Sequence, residues 1–158
     1  MHFVHLAKVT DRNIQQCLAQ ARHHVSQYFA DTCGGGETAF QWPREFEMSA
    51  WATISEGDGY LVPHIHHEGV LSGVLYVAGP NETGSDGYPV GALRVGAPPQ
   101  VENAAGWPDL AIAPEPGTLV IMPSYFTHWT TPLGRPGLRI SIAFDVIDSS
   151  SGGDPTLQ

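Results

Sequence analysis

Ile14, Leu18, Ala21, Val25 and Phe29 recur at spacings of four and three, which puts them on one face of a helix. The pattern predicts a helix over about 11–30, with Thr10 or Asp11 able to cap its start and Cys33-Gly34-Gly35-Gly36 to end the region. His23 and His24 fall largely off the apolar stripe and are expected to be solvated. From about Phe46 the period shortens to that of strands. Strands are predicted over 46–54, 60–66, 70–77, 92–95, 118–122 and 138–144, with 109–112 a further candidate. Residues 70–77 are nearly continuous in apolar residues and are expected to be buried on both faces. Residues 79–87 form a turn-rich loop, and Ser149 to Gln158 reads as a tail.

No repeat interrupts the segment from Phe46 to Asp148, and no Ser/Gly linker divides it. The expected architecture is one mainly β domain over 1–148, a barrel or sandwich of about 46–148 with the N-terminal helix on its flank.

Composition agrees with that picture and removes some functions. Eighteen glycines and thirteen prolines are many for a helical protein and fit short strands joined by turns. Charged residues make up only 15% of the chain, and the formal charge is −9 with a single lysine, Lys8. Such a surface argues against gripping a phosphate backbone, so no nucleic acid is expected as a partner. The two cysteines, Cys17 and Cys33, form no CxxC pair and read as intracellular thiols. No apolar run approaches the ~20 residues of a membrane span. A cytoplasmic location is therefore expected.

The strongest chemical signal is His64-Ile65-His66-His67-Glu68. Alternate residues of a strand share a face, so His64 and His66 point one way and His67 the other. Two imidazoles at this spacing can take adjacent positions on one metal. His128, after the strand at 118–122 and a short turn, is the natural third donor and would leave coordination positions open. Imidazole ligands alone suit iron, zinc, copper or nickel.

Arg139 narrows the choice. It shares one face of its strand with Ser141, opposite Ile140, Ile142 and Phe144. A guanidinium turned into a barrel interior demands an anion, and arginine binds a carboxylate through two parallel hydrogen bonds. Three histidines and an inward arginine together point to a metal with a carboxylate-bearing co-substrate.

These residues resemble the 2-oxoglutarate/Fe(II)-dependent dioxygenase superfamily, and within it the group of small bacterial and phage-type 2OG-Fe(II) oxygenases. The matching stretches are Ser49-Ala50-Trp51, His64-Ile65-His66, residues 71–77, Gly91-Ala92-Leu93, residues 117–124, His128 and residues 139–144, covering roughly 48–146. The resemblance implies a double-stranded β-helix (jelly-roll) fold. It also implies Fe(II) as the metal, with 2-oxoglutarate and O2 as co-substrates. His64 and His128 would be iron ligands, and Arg139 with Ser141 would hold the distal carboxylate of 2-oxoglutarate, with Tyr76 as a second contact. The implied reaction is hydroxylation of a small molecule or side chain, 2-oxoglutarate being decarboxylated to succinate. One departure stands out: most of the superfamily uses His-x-Asp/Glu, and the third position here is His66, or Glu68 if the strand bulges.

Trp51, Trp129 and the loop at 79–88 are candidates for substrate contact or a lid, although Trp51 is rather expected in the core. Two rival readings are a cupin-type metalloenzyme without 2-oxoglutarate and a non-catalytic metal- or ligand-binding barrel. Against the cupin, Tyr125 stands where its second motif has glycine, and Val70 or Leu71 where its first has an acid. The sequence leaves homodimerisation and the substrate open.

Overall fold

A computed structural model of the chain describes residues 1–32, 42–99, 106–107 and 109–149. Its elements are β1 (His2–His5), α1 (Arg12–Thr32), β2 (Phe46–Glu56), β3 (Leu71–Ala78), β4 (Leu93–Val95), β5 (Leu110–Ile112), β6 (Leu119–Pro123), β7 (His128–Thr130) and β8 (Leu138–Asp148). The predicted end of the helical region at Cys33–Gly36 and all but the first residue of the predicted tail lie outside the described residues.

Two antiparallel sheets form, one of five strands in the order β1-β2-β8-β3-β6 and one of three in the order β5-β4-β7. This is the expected mainly β, double-stranded β-helix architecture with its N-terminal helix.

The helix starts where the sequence says it should. Asp11 Oδ1 accepts from the backbone N–H of Asn13 at 2.9 Å and of Ile14 at 3.2 Å, satisfying two donors the first turn leaves free. Ala21, Val25 and Phe29 are its buried residues. They pack with Ala50, Leu71, Ile142, Phe144 and Val146 on the outer face of the large sheet. His23 and His24 are exposed. Burying large apolar side chains here stabilises the fold by about 1.5–3 kcal/mol each. A second cluster, Tyr76, Leu93, Val95 and Met122, lies on the inner side and ties the two sheets together.

The period of two in β8 decides which residues serve the core and which serve the site. Ile142, Phe144 and Val146 face the helix side, leaving Arg139, Ser141, Ala143 and Asp145 on the opposite face. In β2 the same alternation sends Met48 and Ala50 to the core, and Trp51, Thr53 and Ser55 inward. Gly73 of β3 lies beneath the Phe144 ring: a Cβ there would come within 2.1 Å of Phe144 Cζ, so only glycine lets the ring lie flat on the strand.

Two expectations need correction, and one strand had not been expected. Residues 60–66 form no regular strand and keep only an isolated bridge between His64 and His128. Pro63 lacks an N–H and cannot continue a ladder. Residues 71–78 are buried on both faces only in their first half, and Val77 is exposed near the far end. The edge strand β1 was not foreseen, because its residues are exposed and carry no burial pattern.

Candidate active site

His64 and His128 face each other across paired backbones, each N–H donating to the other's carbonyl over 3.0 Å. Their rings lie 4.3 Å apart between centroids. The backbone N–H of His66 donates to Ser124 O at 3.0 Å, and its ring lies 5.2 Å from that of His64 and 5.0 Å from that of His128. One potential ligand atom from each of the three lies within 4.8 Å of the others, the one such cluster of histidine, cysteine or acidic groups among the described residues. Glu68 and His67 are exposed and outside it.

The hydrogen bonds around the rings decide which nitrogen is available. Nδ1 of His64 meets Val62 O at 2.7 Å, Nδ1 of His128 meets Phe126 O at 3.0 Å, and Nδ1 of His66 meets Asp145 Oδ1 at 2.5 Å. Carbonyl and carboxylate oxygens only accept, so each Nδ1 carries a proton, and in the neutral form of each ring the lone pair is then on Nε2. Three neutral imidazoles presenting Nε2 are what a divalent ion of the first transition row takes. Burial, and after it the neighbouring His64 and His66, push the His128 pKa down to about 4, so this ring stays neutral at physiological pH.

The other end of the site is built around Arg139, 3% exposed. Nη1 donates to Gly91 O at 2.7 Å and Thr131 O at 2.9 Å; Nη2 donates to Thr130 Oγ1 at 2.9 Å, with longer contacts to Gly59 O and Ser55 Oγ. Gly91 reaches this position with φ +67°, a conformation that favours glycine. No carboxylate among the described residues pairs with Arg139, and burial lowers its pKa. The positive charge is held by neutral acceptors alone.

Beside it, register aligns three hydroxyl residues across three strands: Thr53 of β2 pairs with Ser141 of β8, which pairs with Tyr76 of β3. Tyr76 is 2% exposed, and burial pushes its pKa up to about 12 against the opposing pull of Arg139. Thr53 Oγ1 is buried and has no hydrogen-bond partner, alone among the buried side-chain polar atoms described. An orphan of this kind is costly unless a ligand completes it.

One cavity of about 230 Å³ joins the two ends. His64, His66, His128, Arg139, Ser141, Tyr76 and Thr53 all line it, with Val74, Leu93, Met122 and Ala143 as apolar wall. Trp51 also lines it, stacked on His66 at 5.9 Å, contrary to the expectation that it is core. Trp129 and the loop at 79–88 do not. In β7 His128 and Thr130 point inward, so Trp129 points away, toward the guanidinium of Arg94. Sequence reasoning missed Thr53, Thr130 and Asp145. Strand parity could have found Asp145, which shares its face with Arg139 and Ser141, whereas nothing local marks Thr53 as unpartnered.

A protein family described as "Putative 2OG-Fe(II) oxygenase" matches residues 49–145, well over half of the chain. The chain belongs to that family. The family's cofactors are Fe(II), 2-oxoglutarate and O2, and the cluster of His64, His66 and His128 could hold the iron.

Solved structures agree on the fold. A prolyl-4-hydroxylase from Pseudomonas putida superposes with a TM-score of 0.63 at 18% identity, covering 92% of this chain and 70% of its own. The non-haem alpha-ketoglutarate-dependent epimerase SnoN from nogalamycin biosynthesis gives 0.64 at 13% identity, covering 93% and 61%. A 2OG-Fe(II) oxygenase family oxidoreductase from Burkholderia pseudomallei gives 0.51 at 16% identity, covering 66% of this chain and 46% of its own. The present chain thus spans between about half and seven tenths of the length of these oxygenases. Among curated proteins no relative matches the sequence. No described helix is long and apolar enough to cross a membrane.

Proposed function

We propose that this chain is an Fe(II)- and 2-oxoglutarate-dependent oxygenase that hydroxylates a small molecule or a side chain. The observation that carries the reading is one cavity with three clustered histidine rings at one end and, at the other, a buried guanidinium without a carboxylate partner among the described residues. His64, His66 and His128 would hold the iron; Arg139, Ser141 and Tyr76 would take the distal carboxylate of 2-oxoglutarate. Thr53 Oγ1 is available as a further donor to that carboxylate. With its co-substrates bound, the metal supplies the oxidation of a C–H bond while 2-oxoglutarate is decarboxylated to succinate.

The chain's own part is binding and exclusion. Arg139 gives a preformed positive charge in a low-dielectric pocket, where it attracts a carboxylate more strongly than at the surface. Its guanidinium is already oriented by five residues, so little entropy remains to be lost when the acid binds. The apolar wall keeps water from the reacting centre. Trp51, with Phe3 of the edge strand, is the part of the lining best suited to contact a substrate entering from outside. A cytoplasmic location belongs to the same proposal and is supported by the scarcity of cysteine.

Aerobic incubation of the iron-loaded chain with 2-oxoglutarate tests the reading. Slow succinate formation without added substrate is expected, and none from His128→Ala. Oxygen consumption that does not depend on 2-oxoglutarate would overturn it in favour of cupin-type chemistry.

A further inference from the structure

The three histidines are not anchored alike. His64 and His128 donate Nδ1–H to backbone carbonyls, whereas His66 donates to a carboxylate, Asp145 Oδ1, at 2.5 Å. Asp145 comes from β8, 79 residues further along the chain, and is half-buried. The same Oδ1 accepts from Ser72 Oγ at 2.8 Å, and Ser72 Oγ lies 3.0 Å from Ser124 Oγ. Ser124 in turn accepts the backbone N–H of His66 through its carbonyl. The result is a closed circuit, His66–Asp145–Ser72–Ser124–His66, that holds this histidine by both its backbone and its ring.

Space around the circuit is tight. A Cβ on Gly69 would come within 2.7 Å of Ser124 Oγ and 3.5 Å of Asp145 Cβ. The two serines are almost fully buried, so water does not replace their contacts. A carboxylate behind an imidazole does two things that a carbonyl does less well. It locks the ring with Nε2 toward the cavity, and its negative charge makes that Nε2 a stronger donor. His64 and His128 lean on backbone carbonyls and Glu68 is exposed, which leaves Asp145 as the carboxylate in hydrogen-bond contact with the cluster among the described residues.

We propose that Asp145 is a positioning residue of the metal centre, acting through His66 to supply the negative charge that no direct ligand brings. The inference rests on the three-histidine reading of the metal site. Ser72 and Ser124 serve it by holding Asp145 and the His66 backbone in register.

Anaerobic titration of the full chain with Co(II), followed by its visible ligand-field bands, separates the possibilities. Asp145→Asn keeps an oxygen that can accept from Nδ1–H but removes the charge. Its Co(II) affinity should fall about 10- to 100-fold, with shifted bands and an unchanged metal-free melting temperature, while the distant Arg22→Ala matches wild type. A purely structural role would lower the metal-free melting temperature and leave the affinity of the folded protein intact. If Asp145→Asn does not fold, Ser72→Ala takes its place: it loosens Asp145 without removing it, and a several-fold weaker affinity is expected. Asp145→Asn (or, in that case, Ser72→Ala) binding Co(II) within twofold of wild type overturns the inference alone. A wild type that binds no Co(II) overturns it together with the metal reading.

Discussion

Arg139 donates to the carbonyl of Gly91 over 2.7 Å, deep in the cavity and without a carboxylate partner among the described residues. A buried charge held only by neutral acceptors gains most when an anion arrives. Adding 2-oxoglutarate should therefore raise the melting temperature of the wild type even without metal. At a concentration 100 times the dissociation constant the gain is about 2.7 kcal/mol. Arg139→Ala should show no such shift, and Arg139→Lys only a small one, because an ammonium cannot reproduce the fork. Thermal unfolding with and without the acid is the check; equal shifts in all three would remove Arg139 from the site.

Thr53 Oγ1 has no partner among the described residues, so Thr53→Val should cost the metal-free protein nothing and is expected to stabilise it by roughly 1 kcal/mol. The same change should weaken 2-oxoglutarate binding several-fold, since the hydroxyl is then missing when the acid needs a donor. Opposite signs for stability and affinity are the signature, read by urea unfolding and by calorimetric titration.

Tyr76 predicts a pH effect. Its folded pKa of about 12 lies above the ordinary value of 10.0, so the fold favours the protonated phenol. Stability from this group is fully present below pH 10 and is lost as pH rises from about 10 through about 12. The loss is on the order of 2–3 kcal/mol. Tyr76→Phe should unfold with a flatter dependence over that interval, measured by urea denaturation at successive pH values.

Gly73→Ala should destabilise the fold by about 1–3 kcal/mol, because its Cβ meets the Phe144 ring. The companion Gly87→Ala, where nothing stands within 4 Å but φ is +83°, should cost about 1 kcal/mol from backbone strain alone. Denaturation midpoints distinguish packing conflict from strain.

Much of this was legible in the chain itself, for physical reasons that also explain the gaps. Ile14, Leu18, Ala21, Val25 and Phe29 announce α1 because a helix must bury one stripe, and Arg139 and Ser141 announce the cavity because β8 alternates faces. His64 and His66 were found through strand periodicity even though no regular strand forms around Pro63; the bridge to His128 and the bonds of Leu61 to Thr130 and of His66 to Ser124 tie the chain down there. Asp145 was invisible as a partner of His66 because their contact joins distant segments, and register between distant segments is a tertiary property. Trp129 was misjudged where the answer was at hand: with His128 and Thr130 inward, the residue between them faces out. The pattern of β1 carries no signal because an edge strand with exposed side chains needs none.

The central claim is that one cavity holds both iron and a 2-oxo acid gripped by Arg139. Anaerobic titration of the protein with Fe(II) in the presence of 2-oxoglutarate tests it most directly. The prediction is a weak visible charge-transfer band of a chelated 2-oxo acid, present in wild type and Arg22→Ala, and absent in His64→Ala, His128→Ala and Arg139→Ala. No band in wild type, or a band undiminished in Arg139→Ala, would contradict it.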